Sequence, residues 1–303
     1  MASASRISAL NQRFEIPGIA AIVEERKGFP SVRVQTPDVT GEVQLYGGQV
    51  SSWKPAGAEE VFFVSSKTRW QEGTAIRGGV PICFPWFADR TEGPKSPAHG
   101  LVRTKPWRLE AITHADSNVT VALSTSADET TKKVWQGDYH LLFCATFGDQ
   151  LRLELIVTNR GSLTFKFEEA LHSYYRVGNV EKTKVRGLGG CTYVDKTDAR
   201  KEKHQRGDVT LTGETDRVYR GTSSSVEIED PVLRRRILVA KEDSRDTVVW
   251  NPWTQKAAAM ADLGADEWRQ FVCVETANVG DHGVTLGEVQ AHTMTALISV
   301  NSM

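Results

Sequence analysis

The chain has 303 residues, 40% of them hydrophobic and 25% charged, with a formal net charge of −1. That balance describes a folded globular protein long enough for a large core. It gives no electrostatic case for nucleic acid or an acidic membrane surface, so any anion preference has to come from a local cluster of Arg.

In chain order, Met1–Leu10 holds no apolar run long enough for a signal peptide, and nowhere do about 18 consecutive apolar residues occur, so a cytosolic protein without a membrane span is expected. Residues 1–35 are read as an N-terminal extension or first strands. Residues 36–303 are read as one domain, because no Pro-rich or Ser-rich linker, low-complexity tract or solenoid-length repeat divides them. Arg77-Gly-Gly-Val-Pro-Ile-Cys-Phe-Pro-Trp-Phe87, followed by His99-Gly-Leu-Val-Arg103, sets cations and hydrogen-bonding groups between rigid Gly and Pro elements. Gly78 and Gly79 allow backbone angles that a Cβ resists, Pro81 and Pro85 fix φ, and the two Arg can present planar forks to an anion. The stretch reads as a wall of an anionic-ligand site, with structural salt bridges as the plain alternative.

Period-two alternation predicts half-buried strands at Val119–Thr125, Leu151–Thr158, Ser225–Glu229 and Thr293–Val300. Runs rich in β-branched and aromatic residues, Phe165–Tyr175, Arg236–Lys241, Thr247–Trp250 and Phe271–Glu275, add further strands. Asp128–Gln136 and Thr197–Gln205 are polar, lack the apolar stripe that docks a helix, and are expected to be surface connections. Many strands without a boundary predict one large all-β sandwich. Four cysteines, Cys83, Cys144, Cys191 and Cys273, lie far apart without Cys/His ligand spacing, which argues against zinc and a disulfide framework and for buried free thiols.

Among residues that can carry chemistry, His172 shares a strand face with Ala170 and Tyr174 and has the side chain that titrates nearest neutrality, although a lone strand His is usually structural. Glu275 ends the apolar run Phe271-Val-Cys-Val, where desolvation would raise its pKa towards that of a useful base, an edge glutamate or ion pair being the alternative. Asp216 is weaker by itself, since Asp commonly starts turns. Of the eight tryptophans, Trp86 and Trp250 lie near these candidates and could stack on a sugar, although large aromatics more often fill cores. No GxxxxGKS/T, no GxGxxG after a strand and no GxSxG is present, and no metal-ligand cluster is seen.

Taken together these motifs resemble the aldose 1-epimerase superfamily, and within it the glucose-6-phosphate 1-epimerase (hexose-6-phosphate mutarotase) group. The resemblance runs over roughly residues 40–300, through Ser52–Pro55, Ile76–Phe87, Ala98–Arg103, Ala170–Tyr175, Val185–Gly190, Thr215–Tyr219, Val249–Trp253 and Val272–Val279. It implies a galactose-mutarotase-like supersandwich of antiparallel sheets with the site in a concave cleft. It puts the general acid on His172, the general base on Glu275, and the ligand-holding residues on Arg77, His99, Arg103 and Asp216. The implied reaction interconverts α and β anomers of hexose 6-phosphates, chiefly glucose 6-phosphate, with no metal or redox cofactor. The implied partner is a small sugar phosphate, and a monomer is expected. Two details depart from the family pattern: Leu101-Val102 replaces the common Phe-Ala, and Ala98 stands where some members carry Gln. The rival readings are an aldose 1-epimerase for unphosphorylated sugars, separated by phosphate dependence, and a non-catalytic carbohydrate-binding sandwich, which would not require the acid/base pair.

Overall fold

Strict alternation makes the outer wall of the molecule. Leu151–Asn159 and Tyr139–Phe147 bury every second residue, and they pair along their whole length, Tyr139 opposite Asn159 and Phe147 opposite Leu151. The computed structural model describes residues 2–90 and 96–303. Among these, the two strands belong to a nine-stranded sheet that continues through Ala291–Ser302, Arg235–Glu242 and Val226–Asp230 on one side and Asn118–Ser126 and Arg108–Ala115 on the other. Every strand pair in the sheets is antiparallel.

A second sheet, of eight strands, carries the chemistry. Its centre is Phe271–Asn278 beside Asp246–Asn251, and both are buried at every position. Burial on both faces means that one face packs on the core while the other lies under a covered cleft. Thr215–Arg220, Thr192–Asp195 and Lys201–His204 extend the sheet one way; Glu169–Leu171, Tyr174–Arg176 and Ile82–Cys83 extend it the other. A single apolar cluster runs through this sheet, the nine-stranded sheet and a four-stranded sheet of residues 20–55, joining Val249, Val274 and Tyr175 to Leu153, Ile298 and Val43. The all-β sandwich expected from the alternation is what forms.

Residues 1–35 contribute the helix Ala2–Phe14 and the first two strands of the four-stranded sheet, Ala20–Arg26 and Phe29–Gln35. Ile7, Leu10 and Phe14 of the helix pack on the core, and Asn11 exchanges two hydrogen bonds with the backbone of Ile22. Three expectations need correction. Within residues 197–205, Lys201–His204 is an edge strand paired to Thr192–Asp195, whose exposed charges suit an unpaired edge. Within 128–136, Glu129–Lys132 forms one helical turn, because Asp128 caps it by accepting from Thr130 and Thr131 backbone N–H groups. Cys83 and Cys273 are buried free thiols, but Cys144 and Cys191 are only half-buried.

The sheet edge near the cleft is tied by a buried ion pair. Glu169, fully buried, lies 2.8 Å from Nε2 of His292, and Asn278 Nδ2 donates to the same carboxylate oxygen at 2.9 Å. Burial alone would lower the His292 pKa; the hydrogen bond and charge of Glu169 outweigh it and hold the value above the usual imidazole range. A raised imidazole stabilises the fold fully below its unfolded pKa, and that contribution fades as pH rises through the folded value. His292→Gln is therefore expected to lose about 2 kcal/mol of unfolding free energy near pH 5.5 and less near pH 9, read by denaturant melts. An equal loss at both pH values would remove the ion-pair reading.

Candidate active site

Register alone brings the catalytic candidates together. The run expected as one strand over Phe165–Tyr175 is three short ones. Glu169–Leu171 pairs with Phe271–Asn278 as 170↔277 and 171↔276, and the pairing breaks at His172, whose N–H donates to the Pro81 carbonyl. It resumes in the same register at Tyr174↔Cys273, which leaves His172 opposite Glu275. On its other side Glu275 pairs with Val248, which continues across to Val218 and Val194. One transverse row on the cleft face therefore reads Val194, Val218, Val248, Glu275, His172. Two residues along each strand lies a second row, Asp216, Trp250, Cys273, Tyr174, with the Lys196 N–H donating to the Asp216 carbonyl. Two residues the other way lies a third, Arg220, Asp246, Ala277, Ala170, Cys83. Small apolar side chains, among them Cys83, Ala170, Val218, Val248 and Ala277, form a floor separate from the main core.

The Gly- and Pro-rich loops close one side. Gly78 has φ +117° and its Cβ position would strike the Phe63 carbonyl; Gly100 has φ +85° and would strike that of Phe84. Both glycines are required for this approach of backbone to backbone. His99 is held in the left-handed region at φ +62°, with its N–H donating to the Ala88 carbonyl at 2.8 Å, while the Ala88 N–H donates back to Nδ1 at 3.3 Å. That bond leaves the ring proton on Nε2. Burial, and then the charge of Arg103, hold His99 neutral, well below the usual imidazole range.

Arg77 is largely committed. Its Nε and Nη2 donate to Asp262 at 3.1 and 2.9 Å, and Nη1 donates to the Tyr174 hydroxyl at 3.0 Å. Arg103 differs: Nη2 donates to the Ala98 carbonyl at 2.9 Å, Nε is buried without a hydrogen-bond partner, and among the described residues no carboxylate lies within ion-pair distance of it. Burial pulls its pKa down, the expected response of a cation that has lost water and gained no counter-ion. Asp216 is pushed up by burial, with Lys196 Nζ 3.7 Å away opposing the shift. It sits within a strand, not at a turn start.

At the centre, His172 Nδ1 lies 3.4 Å from Glu275 Oε1, with the two side chains 8% and 1% exposed. Nδ1 and the other carboxylate oxygen, Oε2, have no hydrogen-bond partner among the described residues. Buried orphan polar atoms are costly and mark places where a ligand supplies the missing partner. Burial is the largest cause acting on both groups: it drives His172 well below the usual imidazole range, with the charges of Arg103 and Arg77 adding to it, and drives Glu275 well above the usual carboxylate range. Tyr174 stacks on the imidazole at 5.0 Å between centroids and Trp250 meets its edge at 5.9 Å, which fixes the ring plane.

A recess of about 350 Å³ takes in all six candidates, Arg77, His99, Arg103, His172, Asp216 and Glu275. Sequence reasoning did not single out Lys196 or Asp262, nor the part Tyr174 plays. Alternation places Lys196 on the face of Val194, but its neighbour Asp216 follows only from strand pairing; Asp262 carries no local signal. Trp250 lines the recess as suggested while packing on the core, Trp86 does not line it, and Trp53, Trp107 and Trp268 are core. Ala98 lines the recess and Leu101 and Val102 do not, so of the two departures from the family pattern only Ala98 stands where a ligand can reach it.

Comparison with known proteins gives the family and the fold. The family model described as aldose 1-epimerase matches residues 30–297. A protein of Escherichia coli (strain K12) named "Putative glucose-6-phosphate 1-epimerase" is 35% identical over 280 residues, covering 91% of this chain and 93% of its own. One of the same name from Salmonella typhimurium is 37% identical, covering 88% and 91%. The solved structure of "a putative mutarotase (YeaD) from Salmonella typhimurium" superposes with a TM-score of 0.89 at 32% identity, over 99% of this chain and 100% of that one. An antiparallel supersandwich with a paired histidine and glutamate under a cleft and a family match over nearly its whole length make this chain a member of the aldose 1-epimerase family.

Proposed function

We propose that the chain interconverts the α and β anomers of hexose 6-phosphates, chiefly glucose 6-phosphate, by acid/base ring opening and reclosure. The observation that carries this reading is the opposed pair His172 and Glu275, buried 3.4 Å apart in a recess that also holds the uncompensated guanidinium of Arg103. The names of the bacterial relatives point to the same substrate.

Opening a hemiacetal needs one proton removed from the C1 hydroxyl and one delivered to the ring oxygen O5. Glu275 takes the first and His172 delivers the second; the open aldehyde rotates about C1–C2, and reclosure on the other face reverses both transfers. The two groups need to share only one proton. With Glu275 raised and His172 lowered, that proton rests on the carboxyl while the recess is empty. An arriving phosphate dianion favours its transfer to the imidazole, which yields the carboxylate base and imidazolium acid together. Each group is then strong in its role: a carboxylate of raised pKa is a better base, and an imidazolium of lowered pKa a better acid. Arg103 grips the 6-phosphate, Arg77 adds only its charge because its fork is held by Asp262 and Tyr174, and His99 Nε2–H and Asp216 meet the sugar hydroxyls. Unpaired thiols suit a cytosolic site of action.

Exchange NMR between the anomers of glucose 6-phosphate and, in parallel, of glucose tests this reading. Acceleration of the phosphorylated sugar over the spontaneous rate, with glucose slower by at least about tenfold in kcat/KM, is expected. Equal acceleration would favour a general aldose epimerase, and acceleration of neither would overturn the proposal in favour of a binding sandwich.

A further inference from the structure

A second and larger recess, of about 630 Å³, opens directly from the catalytic one; Phe87, Ala88, Asp89 and Lys196 line both. It takes in the Val194–Val218 end of the catalytic row, the end away from His172. Its floor holds Val194 and Val218 of the His172–Glu275 row and runs on to Arg220 and Val279, whereas Arg77, Arg103 and Trp250 line only the first recess.

Two of the guanidinium groups in this recess have no carboxylate partner among the described residues. Glu168 spends its two carboxylate oxygens on the backbone N–H groups of Phe87 and Gly280, and Asp281 pairs with Arg220. Lys196 lies 3.7 Å from Asp216, so Arg90 and Arg200 are the cations of this lining without a carboxylate partner among the described residues, beside Asp89 and the Glu168 carboxylate. Arg90 is held in place, its Nη1 donating to the Val134 carbonyl at 2.7 Å and its guanidinium lying 5.1 Å from the Trp86 ring, yet no ion pair to it is found among the described residues. Arg200 projects from a left-handed position, φ +59°, and likewise has no carboxylate partner among them. Guanidinium groups on a concave wall without a carboxylate partner suit a phosphate, which they can grip in bidentate fashion.

We infer that this recess is a second anion subsite, on the anomeric side of the catalytic pair, which accepts the 1-phosphate of a hexose 1,6-bisphosphate. The inference rests on the proposed 6-phosphate reading for the other end of the ligand. Such a sugar has a phosphate ester in place of the C1 hydroxyl, so Glu275 finds no proton to take and the ring stays closed. It is a competitive ligand that is not turned over.

Inhibition of glucose 6-phosphate anomer exchange by α-glucose 1,6-bisphosphate and by methyl α-glucoside 6-phosphate tests this, since both cap O1 but only the first places an anion there. The bisphosphate is expected to inhibit at least about tenfold more tightly. Arg200→Asn, which keeps a residue tolerant of the left-handed backbone, is expected to cut that advantage about fivefold while leaving exchange of glucose 6-phosphate and inhibition by the methyl glucoside unchanged. Equal inhibition constants, or an advantage untouched by Arg200→Asn, would overturn the subsite. If the protein accelerates no exchange, the function reading has failed separately; calorimetric titration of the same two compounds into wild type and Arg200→Asn then decides the subsite by the same ratios.

Discussion

Glu275→Gln is expected to lower the rate of glucose 6-phosphate anomer exchange by roughly 10³-fold, within the range that a positioned proton transfer supplies. The amide has the shape of the protonated carboxyl and fills the same space opposite His172, but it cannot take the C1 hydroxyl proton. Because the buried carboxyl already carries the proton while the recess is empty, the amide changes no charge there, so the melting temperature should hold. Lost activity with an unchanged melt identifies the base; full activity removes it. The wild-type profile adds a second check. The pair works while it holds one proton, so the rate should fall on the alkaline side as Glu275, raised above the usual carboxylate range, gives that proton up. It should fall on the acid side only below the usual imidazole range, where the lowered His172 takes up a second proton. The two limbs belong to the coupled pair and not to either residue.

How far the site could be read from residue order depends on what kind of contact makes it. Alternation in Leu151–Asn159 and the apolar run before Glu275 state which side chains face inward, because a pleat fixes that locally. His172 and Glu275 were therefore legible as buried polar residues on strands. That they face one another was not, since it depends on register between segments a hundred residues apart. Lys196 beside Asp216 is the same case, a neighbour set by strand pairing. Lys201–His204 escaped because an edge strand exposed on both faces needs no alternation, and the helix Ala2–Phe14 escaped because its stripe, Ile7, Leu10 and Phe14, is only three residues deep. Asp262, which occupies Arg77, comes from a loop after the short helix Trp253–Ala259 and has no pattern of its own. The sequence therefore placed both arginines at the wall without distinguishing the one whose charge is free.

That distinction sets the second large effect. Arg103→Met is expected to cost about 10²-fold in kcat/KM for glucose 6-phosphate and far less for glucose, because it removes a charge that bonds phosphate from a site shielded from water. Arg77 cannot substitute: its fork is spent on Asp262 and Tyr174. Arg103→Lys keeps the charge but not the planar fork, and should recover only part of the loss. The folded protein should tolerate Arg103→Met, since the guanidinium loses a buried orphan Nε and only one bond, to the Ala98 carbonyl. The electrostatic consequence has a definite sign. Arg103 lowers both His172 and Glu275, so its removal lets both rise and moves the whole pH–rate profile towards alkaline values. A variant that loses glucose and glucose 6-phosphate activity in equal proportion, with an unmoved profile, would show that Arg103 braces the loop and does not receive the phosphate; a selective loss with the alkaline shift ties phosphate recognition and proton transfer to the same side chain.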